Sequence, residues 1–270
     1  MTSPCTSRLT LNFRRSSSNK PLMSHDVRVH LLPVLYEPEE VRGGITVILD
    51  ILRSSTTITH ALASGAAAVI PTLDVETAQR TAGGFTRDSV LTGGERGGVL
   101  IPGFDLDNNP LAYTPDVVRG KTIVFTTTNG TRALHRSAQA ERVLIGAFVN
   151  LAAVVRDLAE DPRPVHLVCA GTNGKITVED VLGAGAIAQG LADAVNEPID
   201  EWTDDQLQIA VRLYRDATKS PEAFRLAMRN SSGGRNCRRL GFDDQIDRAA
   251  TFDLFDIVPE YHAQTGRITL

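Results

Sequence analysis

The chain has 270 residues, 42% of them hydrophobic, and a formal net charge of −4. Its 22 glycines and 13 prolines are an average share, which excludes fibrous and low-complexity classes. No apolar run approaches the roughly 18 residues of a membrane span, and an acidic chain with 5% aromatic residues lacks the footprint of a nucleic-acid binder.

The charge is unevenly spread. Residues 1–22 hold Arg8, Arg14, Arg15 and Lys20 and no acid. Four of the 28 basic residues thus lie in this leader, leaving 24 against 32 acidic residues from Met23 onward. The leader is Ser-rich without an apolar core of secretory length; its composition allows a transit-like leader, but it reads better as a disordered tail or as the product of an upstream start codon read in place of Met23. Residues 23–270 read as a single domain. Cys5, Cys169 and Cys237 cannot build a disulfide framework, and a reducing, cytoplasmic setting is expected.

From Val27 onward, apolar runs alternate with amphipathic stretches. Strands are predicted at Val27–Leu32, Ile45–Asp50, Ala67–Pro71, Ser89–Thr92, Lys121–Thr126, Arg142–Phe148 and Val165–Ala170. Helices are predicted at Ser55–Ser64, Asp74–Ala82 with Asp74 as cap, from Asn129–Gly130 to about Ser137, at Leu151–Leu158 and at Val178–Val195. Further on, Thr203 and Ser220 mark the starts of two helices, Ser231–Asn236 reads as a polar loop, and Leu254–Val258 and Arg267–Leu270 as edge strands. The alternation predicts an α/β fold: a three-layer αβα sandwich with a largely parallel or mixed sheet, and a helical insertion near 200–250.

Four polar clusters follow predicted strands. In open α/β sheets, ligands bind beyond the carboxyl ends of the strands. Asp50-Ile51-Leu52-Arg53-Ser54-Ser55-Thr56-Thr57 offers an acid for a metal, an Arg that can fork onto phosphate oxygens, and free N–H groups at a helix start. An Asp–Arg pair with helix caps would use the same residues. Leu52 stands where an Asp-x-Asp phosphatase needs its second acid. Gly93-Gly94-Glu95-Arg96-Gly97-Gly98 lets backbone approach a ligand, with Glu95 for a cation and Arg96 for an anion; Asp105 and Asn108 add oxygens. Thr126-Thr127-Thr128-Asn129-Gly130-Thr131 is an oxyanion cradle or an Asn-Gly turn with Thr caps.

The fourth cluster runs from Cys169 to Asp180. Gly171-Thr172-Asn173-Gly174-Lys175 looks like the phosphate loop of Mur-type ligases. However, Cys169 stands where the full spacing wants Gly, and Ile176 precedes Thr177. Cys169 and Lys175 are spaced like the Cys and Arg of tyrosine phosphatases, but Lys lacks the planar fork. Glu179 and Asp180 either complement the helix dipole or point at a metal. The six histidines show no ligand spacing, so carboxylates and hydroxyls suit Mg²⁺ better than zinc.

Together, in this order, the clusters resemble the 2-phosphosulfolactate phosphatase family. Gly234-Arg235 and Leu240-Gly241 through Asp244 add a weaker match. The chain departs from the common pattern at Asp107–Pro110, Asn236–Arg238 and Asp244–Asp247. The resemblance implies Mg²⁺-dependent hydrolysis of 2-phospho-3-sulfolactate to 3-sulfolactate and phosphate, on the route to coenzyme M. On that reading Asp50, Arg53, Glu95 and Arg96 are catalytic. Ser54, Thr56, Thr127, Asn129, Gly130, Thr131, Gly171, Thr172 and Lys175 bind substrate. Asp50, Glu95, Asp105, Glu179 and Asp180 supply metal ligands. Water or Asp50 itself attacks phosphorus. The expected partner is a small anion, not nucleic acid or membrane, and self-association into a homodimer is compatible with the size. An ATP-dependent enzyme using the Gly171–Lys175 loop, or a non-catalytic anion-binding protein, are the other readings.

Overall fold

The computed structural model describes residues 26–127 and 129–270; the expected leader lies outside them. The chain opens with β1 (Val27–His30), β2 (Ile45–Leu49), α1 (Ser54–Ala63), β3 (Ala68–Thr72) and α2 (Val75–Ala82). Asp74 caps α2, accepting from the Thr77 N–H at 2.7 Å. Next, β4 (Val90–Arg96) turns back into the short β5 (Val99–Leu100), and α3 (Pro115–Val118) leads into β6 (Thr122–Thr126). The alternation continues with α4 (Gly130–Arg136), β7 (Arg142–Ile145), α5 (Leu151–Glu160), β8 (Val165–Cys169) and α6 (Val178–Val195). The insertion is helical as expected: α7 (Asp205–Ala217), α8 (Pro221–Asn230), α9 (Ser232–Arg239) and α10 (Asp243–Ala249). The chain closes with β9 (Glu260–His262) and β10 (Arg267–Thr269).

The fold is α/β, with one ten-stranded, mostly parallel sheet in the order β1-β8-β2-β7-β9-β10-β3-β6-β4-β5. Two parallel blocks, β1-β8-β2-β7 and β3-β6-β4, are joined by the antiparallel pair β9-β10. Arg142 of β7 anchors this pair, reaching Glu260 at 2.9 Å and Asp157 of α5 at 2.8 Å. All five side chains of β2 are buried, as a strand covered on both faces requires. The largest apolar cluster packs β1, β8 and β2 against α5, α6 and α7. Gly185 lets α6 and α7 approach: a Cβ there would lie 2.2 Å from the Ala210 carbonyl oxygen.

Several sequence expectations need correction. Ser231–Asn236 is not a loop but the start of α9, capped by the Ser231 hydroxyl on the Gly234 N–H at 3.1 Å. Poor intrinsic helix propensity is outweighed because Gly233 and Gly234 alone fit the space; a Cβ on Gly233 would lie 2.3 Å from Glu179. Leu254–Val258 is no strand: the Asp253 and Phe255 N–H groups bond to the Phe148 and Val149 carbonyls instead of to a sheet neighbour. β10 is interior to the sheet, not at an edge. Asp204 rather than Thr203 caps α7, accepting from the Leu207 N–H at 2.6 Å. The strand predicted at Ser89–Thr92 runs on to Arg96, because β6 pairs with it as far as Gly94 and β5 pairs with its last two residues.

Burial gives one consequence for pH. His60 of α1 lies edge-on to Phe255, and burial and the nearby Arg248 lower its pKa to about 4. The unfolded chain titrates near 6.5, so between those values the unfolded state binds the extra proton and acid withdraws stability. The difference is on the order of 3 kcal/mol at most. Chemical melts should therefore show that His60→Leu loses about 2–3 kcal/mol less than the parent between pH 7 and pH 4.5. Equal losses would mean that His60 is protonated in the folded state.

Candidate active site

The loops after β2, β4, β6 and β8, together with α9, enclose a cleft of about 380 Å³. Asp50, Arg53, Ser54, Glu95, Thr127, Asn129 and Thr172 all line it, so the structure brings seven of the expected residues together. Their positions follow from strand ends. β2 ends at Leu49, and the next residue, Asp50, is 8% exposed. Its carboxylate accepts from the Ser54 hydroxyl at 2.9 Å, the Ser54 N–H at 3.4 Å and the Gly130 N–H. Gly130 lets the α4 start sit close to the carboxylate: a Cβ there would lie 2.9 Å from Asp50 Oδ2. Burial raises the Asp50 pKa against the lowering effect of these donors, and the charge of Glu95 raises it further.

Arg53 is 5% exposed and has no carboxylate at ion-pair distance among the described residues. It donates to Gln245 Oε1 at 2.6 Å and to the Gly98 carbonyl at 2.7 Å, and lies over the Phe242 ring. A buried guanidinium keeps its charge, so the field it projects into the cleft favours an anion there. The β4–β5 turn is held from the other side as well, by Glu95 Oε2 accepting from the Gly98 N–H at 2.7 Å.

Other expected residues serve the framework. Thr56 donates to the Ile51 carbonyl at 2.8 Å, and Gly130 N–H is turned to Asp50 rather than to a ligand. The α1 start is not the open cradle expected: the Ser55 and Thr57 N–H groups bond to the Asp50 and Arg53 carbonyls. Thr131 borders a small space behind Asp50. Arg96 turns from the cleft to Thr126 Oγ1, at 3.1 Å, and to the Glu95 carbonyl. Arg235 bonds to the Asn230 carbonyl and is exposed. Thr128 lies outside the described residues.

The expected metal ligands divide. Asp105 lies outside the cleft, held by Arg87 at 2.6 Å and by both Thr92 donors, and these contacts lower its pKa to about 2. Asp180 braces three segments: it accepts from the Ile51 N–H at 2.9 Å, the Gly171 N–H at 2.9 Å and the Thr177 hydroxyl at 2.8 Å. Glu179 sits behind the cleft wall, with Oε1 on the Gly233 N–H at 2.8 Å and a buried Oε2 that has no hydrogen-bond partner among the described residues. Burial raises the pKa of both, most strongly for Asp180. Among the described residues, no group of three or more His, Cys, Asp or Glu could hold a metal ion. Mg²⁺, however, commonly takes only one or two protein carboxylates and completes its shell with water and phosphate. Asp50 and Glu95 on the cleft wall, with the buried Asn108 Oδ1 that has no partner among the described residues, fit that requirement.

Two competing chemistries lose their footing. Cys169 is fully buried in β8, and burial beside Asp180 and Glu179 pushes its thiol well above the usual range, so it is no thiolate nucleophile. Lys175 does not line the cleft; its backbone closes a tight turn on Thr172. The cleft residues that the sequence clusters did not assign to the site include three on α9: Ser232, Asn236 and Arg239. The signal for these three was the Ser-Ser-Gly-Gly stretch opening α9, which resembles a loop until its packing partners are known.

The description "2-phosphosulpholactate phosphatase" belongs to the family profile that matches residues 31–264. A protein of Caldanaerobacter subterraneus subsp. tengcongensis named probable 2-phosphosulfolactate phosphatase is 41% identical over 214 residues, covering 79% of this chain and 86% of its own. Relatives of the same printed name from Symbiobacterium thermophilum and Deinococcus radiodurans are 42% and 39% identical, covering 83% and 86% of this chain and 93% and 92% of their own. No helix among the described residues is long and apolar enough to cross a membrane. On the extent of these matches, the chain belongs to the 2-phosphosulpholactate phosphatase family.

Proposed function

We propose that this chain is a Mg²⁺-dependent phosphatase that hydrolyses 2-phospho-3-sulfolactate, the phosphate monoester of a small sulfonated hydroxy acid. The observation that carries the reading is Arg53: a buried guanidinium with no carboxylate partner among the described residues, facing a polar cleft of small-molecule size. Family membership supplies the reaction class.

Asp50, Glu95 and Asn108 would hold the metal, which when bound polarises the phosphoryl group and lowers the pKa of attacking water. Arg53 neutralises charge on the phosphoryl oxygens as it builds up. Its bonds to Gln245 and Gly98 hold the guanidinium in place before substrate arrives. Ser54, Thr127 and Thr172 supply hydroxyls along the same wall. Water is the proposed nucleophile, with Asp50 assigned to the metal. The ATP-dependent alternative is not favoured, since Lys175 lies off the cleft.

Phosphate release from a panel of phosphorylated hydroxy acids, with and without Mg²⁺, tests the proposal. Release should be strongest from 2-phospho-3-sulfolactate and should vanish with EDTA. No release from any member would leave a non-catalytic anion binder as the better reading. Release that resists EDTA would remove the metal from it.

A further inference from the structure

The proposed substrate carries anionic groups besides its phosphate, and one buried Arg53 cannot answer them all. Among the described residues lining the cleft, the only other cationic side chain is Arg239. It projects from the last turn of α9. Its guanidinium donates to Asn236 Oδ1 at 2.8 Å and has no carboxylate at ion-pair distance among the described residues. One such bond leaves most of its five N–H donors unused.

The position of Arg239 is set by close packing along one face of α9, whose positions 233, 236 and 240 are spaced i, i+3 and i+7. Gly233 seats the helix on Glu179 and Leu52; a Cβ there would lie 2.3 Å from Glu179 Oε1 and 2.8 Å from Leu52 Cβ. Gly98, in the turn that Arg53 holds, meets the same face further along, where a Cβ would lie 2.8 Å from Asn236 Nδ2 and 2.7 Å from Leu240 Cδ1. Asn236 is therefore wedged against the β4–β5 turn, and it orients Arg239 in turn.

Resting on the phosphatase reading above, we propose that Arg239 is a specificity-determining residue. It receives the non-phosphoryl oxyanion of the substrate, sulfonate or carboxylate, while Arg53 receives the phosphoryl group. The fork geometry of a guanidinium suits either oxyanion. In this chain the second cation comes from the helical insertion, not from a strand end.

The test compares the parent chain with Arg239→Gln and Arg239→Lys on 2-phospho-3-sulfolactate and on 2-phospholactate, which lacks the sulfonate. Arg239→Gln should raise KM for the sulfonated ester at least tenfold with kcat within about threefold, and Arg239→Lys should recover part of the loss. A rise confined to the sulfonated ester assigns the sulfonate to Arg239; a rise for both esters assigns the carboxylate. Unchanged KM for both, or a fall in kcat alone, overturns the proposal. Calorimetry with 3-sulfolactate and with inorganic phosphate reads the same contact without turnover. Arg239→Gln should weaken 3-sulfolactate at least tenfold and inorganic phosphate less than twofold; equal effects overturn the assignment. If the parent releases no phosphate from any ester yet binds 3-sulfolactate through Arg239, the phosphatase reading fails and the assignment stands. If the parent does not bind 3-sulfolactate at all, the assignment fails, whatever it hydrolyses.

Discussion

Asp50→Asn should lower kcat for phosphate release by about a thousandfold or more while leaving the thermal midpoint nearly unchanged, which steady-state assays and a melt would check. The reasoning separates shape from charge. Asn keeps the size of the side chain and one oxygen that can still accept from the Ser54 hydroxyl and the Gly130 N–H. The carboxylate's negative charge and its capacity to take a proton are lost. Charge placed at the reacting centre and proton transfer there contribute roughly 10²–10⁴-fold each in enzymes that use them. A buried carboxylate is also costly to fold, so removing its charge gives no reason for a large loss of stability. A variant that retains more than a tenth of the parent kcat would show that Asp50 is framework only, like Asp180.

Arg53→Met should lower kcat/KM by about 10²–10³-fold, the scale seen when one group that stabilises developing charge is removed. Arg53→Lys should recover little of it. Lysine offers one compact charge and no planar fork, and Arg53 uses that fork to hold Gln245 and the Gly98 carbonyl together. Met fills similar volume over Phe242, so the loss should lie in activity more than in folding. Substrate binding and turnover near the parent level in Arg53→Lys would mean that position, not geometry, is what the residue supplies.

How far the residues alone reach is clearest from particular elements. β2 was predictable because a short, β-branched apolar run flanked by Gly43-Gly44 favours a covered strand over a helix. α2 was predictable because Asp74 stands where a cap must. The same logic placed Asp50, Arg53, Glu95, Thr127 and Thr172 in one cleft, since strand ends in an α/β sheet converge.

The failures share a cause. Asp105, Asp180 and Arg96 carry the right chemistry for the site, but each is held by a long-range or backbone partner that local sequence does not reveal: Arg87, Ile51 and Gly171, and Thr126. α9 looked like a loop because its glycines disfavour helix, and only the space beside Glu179 and Met228 explains them.

Alternating apolar and polar runs were enough to determine the α/β class, the helical insertion and the strand-end clusters, because periodicity and capping are local properties. Tertiary structure alone decided that β9 and β10 join two parallel blocks, which acids face the cleft, and that α9 brings Arg239 to it. Those outcomes depend on which distant surfaces exclude water together, and a side chain's role at a site follows from that packing rather than from its neighbours in the chain.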